Sequence, residues 1–112
     1  MESTRQQKIA RLIQKETGLI FQQELRELCK GALVTVTKAN ISSDLSVARI
    51  YLSLFATKDK EGLLDHIRHH GKEIRHCLGN RVHNQLRIIP ELQFFLDDSL
   101  DYIDKIDDLL KS

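Results

Sequence analysis

From Val47 to Phe55 the chain alternates with period two. Ala48, Ile50, Leu52 and Leu54 fall on one face, and Val47, Arg49, Tyr51, Ser53 and Phe55 fall on the other. A strand aliphatic on one side and mixed on the other predicts one covered face and a neighbour along each edge. Leu33 to Ile41, β-branched at Val34, Thr35, Val36 and Thr37, predicts a second strand. Asn40, Ser42, Ser43 and Asp44 supply turn chemistry between the two, which therefore pair as an antiparallel hairpin. A third strand is predicted over Leu92 to Leu96, where Leu92, Phe94 and Leu96 alternate against Gln93 and Phe95. It is introduced by Ile89-Pro90-Glu91, with proline at one of the few strand positions that tolerate it.

Helical spacing fills the remainder. Ser3 to Cys29 carries Ile9, Leu12, Ile13, Ile20, Phe21, Leu25 and Leu28 on one stripe. Ser3 with Gln6 fits a capping box, Lys30-Gly31 fits a helix end, and Gly18 admits a bend. Leu63, Leu64, Ile67, Ile74, Cys77 and Leu78 predict a middle helical segment that Gly71 divides into two helices at an angle, with Gly79-Asn80 closing it. Because this segment separates the second strand from the third, those strands run parallel through a right-handed crossover. Asp97-Asp98-Ser99 caps a short C-terminal helix, Leu100 to Leu110. The fold class is α+β, ordered α-β-β-α-α-β on a three-stranded mixed sheet. By length, residues 1–112 form a single domain.

Composition changes this picture little. With 29% charged and 41% hydrophobic residues the chain is far from the disordered range. Cys29 and Cys77 match no metal or redox spacing and read as reduced thiols. Met1 to Gln7 is polar, no signal peptide follows, and no run approaches a membrane span, so the expected location is the cytoplasm. His66-x-x-x-His70 has the spacing of two ligands on a helix, but the acidic residue of H-E-x-x-H and a third ligand are missing. Asp97-Asp98 fits a helix start better than a catalytic carboxylate pair. No nucleophile elbow, P-loop or Cys-His dyad beyond the adjacent His76-Cys77 is present, so neither an enzyme nor a cofactor is expected.

The charge distribution is more informative than its sum, 17 Lys and Arg against 16 Asp and Glu. Arg5, Lys8, Arg11 and Lys15 crowd the first half of the opening helix, where the macrodipole disfavours cations. Arg68, His69, Lys72, Arg75 and His76 line the polar face of the middle segment, Arg81, His83 and Arg87 follow in the connection, and acidic residues gather over Asp97 to Asp108. A basic side suits a phosphate backbone, and the few aromatic residues make base stacking the weaker expectation. A competing reading is a protein–protein adaptor that uses the acidic last helix or the open sheet face with Tyr51 and Phe55.

The element order is that of the type II KH fold, an RNA-binding architecture, without the G-x-x-G loop between the middle helices. The residues themselves resemble the bacterial ribosome-binding factor A family from Arg5-Gln6-Gln7-Lys8-Ile9-Ala10 to Leu110. The resemblance is carried by Ile13-Gln14-Lys15-Glu16, Val34-Thr35-Val36-Thr37-Lys38, Ser43-Asp44-Leu45-Ser46-Val47-Ala48, Ile74-Arg75 and Leu78-Gly79. Its most specific parts are Arg87-Ile88-Ile89-Pro90-Glu91-Leu92 and Asp97-Asp98-Ser99-Leu100-Asp101-Tyr102. Where that family has an alanine-x-glycine kink, this chain has His70-Gly71-Lys72, and the stretch from Gly79 to Arg87 is slightly longer. Many relatives also carry a longer C-terminal extension than this chain. The resemblance implies a non-enzymatic assembly factor that binds the immature small ribosomal subunit and its ribosomal RNA. It also implies help in late maturation and five-prime-end processing of that RNA, with most effect in the cold. Other assembly factors such as a GTPase are implied partners of a protein that is monomeric when free. The expected RNA-binding residues are Arg5, Lys8, Arg11, Lys15, Lys38, Arg68, Lys72, Arg75, Arg81 and Arg87.

Overall fold

The computed structural model describes residues 4–97. Its elements are α1 (Thr4–Leu19), β1 (Leu33–Ile41), β2 (Val47–Phe55), α2 (Lys60–His69), α3 (Gly71–Val82) and β3 (Glu91–Leu96). The sheet order is β1-β2-β3, with β1 antiparallel and β3 parallel to β2. This is the mixed three-stranded α+β arrangement of a type II KH-like domain. The expected C-terminal helix and the Ser3 half of the capping box lie outside the described residues.

One contiguous core lies between the aliphatic face of the sheet and the helices. Ala48, Ile50, Leu52 and Leu54 of β2 meet Ile9, Ala10 and Ile13 of α1, Leu63, Leu64 and Ile67 of α2, and Ile74, Leu78 and Val82 of α3. Phe94 of β3 joins edge-on to Phe21, ring centroids 6.3 Å apart. In β1 the inward positions are Val34 and Val36, then Ala39 and Ile41, because a bulge at Thr37 shifts the register between Val36↔Leu52 and Lys38↔Tyr51.

Two boundaries differ from the sequence pattern. The opening helix does not continue to Cys29. After Leu19 it widens into a π turn, Ile20–Glu24, closed by Leu25 N–H donating to Ile20 O at 2.8 Å, and then tightens into a 3-10 turn, Arg26–Cys29. The wide turn lets the consecutive residues Ile20 and Phe21 both enter the core. The bend is therefore not at Gly18, which stays within α1. Lys30 and Gly31 do end the segment, both in the left-handed region at φ 51° and 82°.

The second difference is in α3, which does not close at Gly79-Asn80 but runs on to Val82. Fully buried Val82 anchors its last turn, and Gly79 lies against Ile89, whose Cγ1 would stand 3.5 Å from a Cβ added there. Arg81 is consequently a helix residue and not part of the connection. The division at Gly71 is present: His70, with φ −101° and ψ 18°, separates α2 from α3.

Thr17 is fully buried in α1 and its Oγ1 has no hydrogen-bond partner among the described residues. A buried hydroxyl without a partner is destabilising relative to an isosteric methyl. Thr17→Val is expected to raise stability by about 1 kcal/mol, read as a higher urea midpoint at unchanged slope.

Candidate nucleic-acid interface

The ten cations expected to face RNA divide by their surroundings. Arg5, Lys8, Arg11 and Lys15 follow one another along α1 at three- and four-residue spacing, beside the buried stripe of Ile9, Ile13 and Thr17, and all four are exposed. Lys38 stands on the open sheet face, its Nζ 5.7 Å from the centre of the Tyr51 ring, which in turn lies 5.6 Å from Phe95. Lys72 is exposed on α3.

Three arginines are engaged internally. The Arg68 Nε and Nη2 donate to Phe94 O at 3.0 and 2.7 Å, and its guanidinium lies 5.8 Å from the centre of the Phe95 ring. Arg75 Nε donates to Pro90 O at 3.2 Å and Nη2 to Ile89 O at 2.6 Å. Each of these two fastens a middle helix to the backbone of β3 or of the segment leading into it. Arg81 is enclosed by anions and an amide, donating to Glu24 Oε1 at 2.5 Å, Glu16 Oε2 at 3.0 Å and Gln23 Oε1 at 3.2 Å. The hydrogen bond to Glu16, more than any other contact, raises its pKa above the usual arginine value. The widened turn after α1 is thus tied to α3. Helical spacing alone gives no sign of this, since the partners lie 57 to 65 positions away.

Folding gathers Arg5, Lys8 and Arg87 around one cleft. It has a volume of about 530 Å³ and is also lined by Thr4, Ile9, Leu45, Gln85, Leu86 and Ile88. Its walls are the first turns of α1, the β1–β2 loop and the connection from α3 to β3. None of its lining residues is acidic, and none of the three cations has an ion-pair partner among the described residues. A separate cleft of about 520 Å³ lies between α3 and the same connection, with Lys72, Arg75, His76, Asn80 and Ile89 in its walls.

The β1–β2 loop that delivers Leu45 to the first cleft is internally braced. Asp44 Oδ1 accepts from Ser42 Oγ and Ser46 Oγ, both at 2.7 Å, and from Ser46 N–H at 3.1 Å. The hydrogen bond from Ser46 is the main reason that the Asp44 carboxyl is lowered to about 2. Leu45 itself sits at φ 64°, a left-handed conformation that leucine rarely adopts. The sequence pattern gives this loop turn chemistry but gives no binding role to Leu45, Gln85 or Ile88.

His66 and His70 have ring centroids 4.6 Å apart, and His70 Nδ1 is 2.9 Å from His66 O. Desolvation, helped by Lys30 and the neighbouring histidines, lowers the His66 pKa. Among the described residues no group of three or more His, Cys, Asp or Glu is placed to hold a metal ion. Both cysteines are free, and burial raises both thiol pKa values. No described helix is long and apolar enough to cross a membrane.

The comparisons with known proteins agree with one another. The family model described as "Ribosome-binding factor A" matches residues 5–110. Ribosome-binding factor A of Cytophaga hutchinsonii is 49% identical over 110 residues, covering 98% of this chain and 83% of the relative. The crystal structure of ribosome-binding factor A from Thermus thermophilus superposes with a TM-score of 0.68 at 22% identity, covering 81% of this chain and 94% of that one. A homology model of the Thermus thermophilus ribosome binding factor A, fitted into a cryo-EM map of a 30S complex, gives a TM-score of 0.52 at 24% identity. That match covers 73% of this chain and 96% of the other.

Two outcomes follow from this geometry. Arg68→Met and Arg75→Met each remove charge-assisted bonds to carbonyls of β3 or of the segment leading into it and should cost about 1–2 kcal/mol, whereas Lys72→Met should leave the urea midpoint unchanged. For Asp44, a folded pKa below the unfolded value of 3.8 means that its contribution is complete above that value and is lost as pH falls through about 2. A carboxyl NMR titration with its midpoint near 2, and near 3.8 after unfolding, is the expected record.

Proposed function

The chain belongs to the ribosome-binding factor A family, and on that footing we propose that it is a non-enzymatic assembly factor docking on the immature small ribosomal subunit through ribosomal RNA. The observation that carries this reading is the cleft that joins Arg5 and Lys8 to Arg87, cations from opposite ends of the described chain with no carboxylate among the lining residues. A cluster of like charge without counter-ions among the described residues is suited to a phosphate backbone. Arg11 and Lys15 extend the cluster along α1, and Lys72 offers a further contact on α3. Lys38 faces out from the sheet beside Tyr51. Arg68, Arg75 and Arg81 hold the scaffold and act on RNA only by placing the elements around them.

The structural relative fitted into a 30S complex supports the same partner. In this reading the protein works in the cytoplasm as a free monomer, helps late maturation and five-prime-end processing of the small-subunit RNA, is most needed in the cold, and acts beside other assembly factors such as a GTPase. Domain by domain, residues 1–112 act as one RNA-binding unit.

A triple variant, Arg5→Glu, Lys8→Glu and Arg87→Glu, is expected to abolish co-sedimentation with immature small subunits while circular dichroism stays unchanged and the urea midpoint does not fall, since acidic residues suit the start of α1. The logarithmic salt dependence of binding should be steep in the parent chain, and neutralising three contacts should reduce its slope by about 2–3. Undiminished co-sedimentation of the folded triple variant would refute the assignment.

A further inference from the structure

The cationic cleft contains more than a phosphate-binding surface requires. A duplex backbone is met by cations on an open wet surface, yet here the three cations rim an apolar floor of Ile9, Leu45, Leu86 and Ile88. Ile88 is 73% exposed, and only Leu33 shares that status among the large hydrophobic residues described. Its outward position is enforced. Arg75 grips the carbonyls of Ile89 and Pro90, Pro90 is buried, and Ile89 packs against Gly79, so Ile88 is left facing the cleft. On the facing wall Leu45 is presented by a left-handed residue in a loop braced by Asp44.

The volume of about 530 Å³ lies in the range that small organic ligands fill. An anionic group attached to a flat, largely apolar body matches a cationic rim over such a floor. Thr4 and Gln85, at the same rim, offer neutral groups able to donate to and accept from the edge of that body.

The geometry points to a seat for one unpaired nucleotide of single-stranded RNA, its base against Leu45 and Ile88 and its flanking phosphates on Arg5, Lys8 and Arg87. This rests on the RNA reading proposed above and goes beyond it, since that reading requires only backbone contact. An RNA strand gains here from burying a base that a duplex keeps stacked, so the cleft prefers single strands to duplex.

The test uses the full chain, labelled with 13C at the isoleucine methyl groups and uniformly with 15N, and four probes: short oligouridine, the same oligomer with abasic sites, a blunt RNA duplex and inorganic polyphosphate. Oligouridine should move the Ile88 Cδ1 resonance upfield through the ring current of the base. The abasic oligomer, the duplex and polyphosphate should leave it in place while still shifting signals of Arg5 and Arg87. Ile88→Ser, an exposed substitution that spares the core, should weaken oligouridine binding by about five- to tenfold and leave duplex binding unchanged. If oligouridine and its abasic form bind alike, or if immature subunits co-sediment while oligouridine leaves Ile88 unmoved, the nucleotide seat is refuted and backbone docking stands. If neither any RNA nor the subunit binds, the RNA reading falls with it. Equal affinity for an acidic peptide such as oligoglutamate would make the cleft a general anion site and would also overturn the proposal.

Discussion

The constraint on which the structure depends is the one-sided burial of β2. Ile50 and Leu52 are completely shielded from solvent, and both backbone edges of the strand are satisfied by neighbours. Helices α1, α2 and α3 must therefore all lie on the face that these residues present, and the polar stripes of the helices must turn outward. Covering the same face brings the start of α1 beside the end of the α3–β3 connection, although more than seventy residues separate them along the chain. The cleft is a geometric consequence of closing one core, with its charges supplied by surfaces that the core has no use for.

A parallel strand at the sheet edge needs more than its ladder. β3 has six residues, and Leu92 and Leu96 are only partly buried. The guanidinium groups of Arg68 and Arg75 supply additional fastening by donating to Phe94, Ile89 and Pro90 carbonyls. Arginine suits this role because one planar fork donates in two parallel directions and stays ionised at all relevant pH. Arg68 and Arg75 of the middle helices thus serve the scaffold, and Lys72, the cations of α1 and Arg87 are left to serve the surface.

The sequence was most legible where one local rule operated without competition. The predicted bounds Val47–Phe55 and Leu33–Ile41 are those of β2 and β1, although the bulge at Thr37 interrupts the alternation in β1, and the intervening helical segment correctly implied that β3 runs parallel. Legibility failed where a distant contact overrode the local signal. Gly79-Asn80 reads as a helix end, but burial of Val82 and the fit of Ile89 over Gly79 carry α3 another turn. The apolar stripe continues past Leu19, yet the chain widens into a π turn so that Ile20 and Phe21 both reach the core. Arg5, Lys8 and Arg87 were nameable from charge alone. Their convergence was not, nor was the difference between them and Arg81, because that difference is made by Glu16 and Glu24 across the fold. Leu45 escaped notice because nothing in its local sequence announces a left-handed leucine.

The free protein holds the cleft in an unrelaxed condition. Arg5 and Lys8 lie at the positive end of the α1 macrodipole, Arg87 adds a third like charge, and two described anions are engaged elsewhere, Asp44 within its own turn and Glu16 with Arg81. Leu45 adds backbone strain on one wall and Ile88 adds unburied apolar surface on the other. Each feature is unfavourable in isolation, and each is relieved by a ligand with negative charge and an apolar body. Binding and folding are therefore linked: an occupant of the cleft stabilises the folded state in proportion to its affinity, because the unfolded chain does not assemble these three segments. Asp44 braces the loop that carries Leu45, and Arg75 holds the carbonyls that follow Ile88, so both walls are fixed by hydrogen bonds of the scaffold itself.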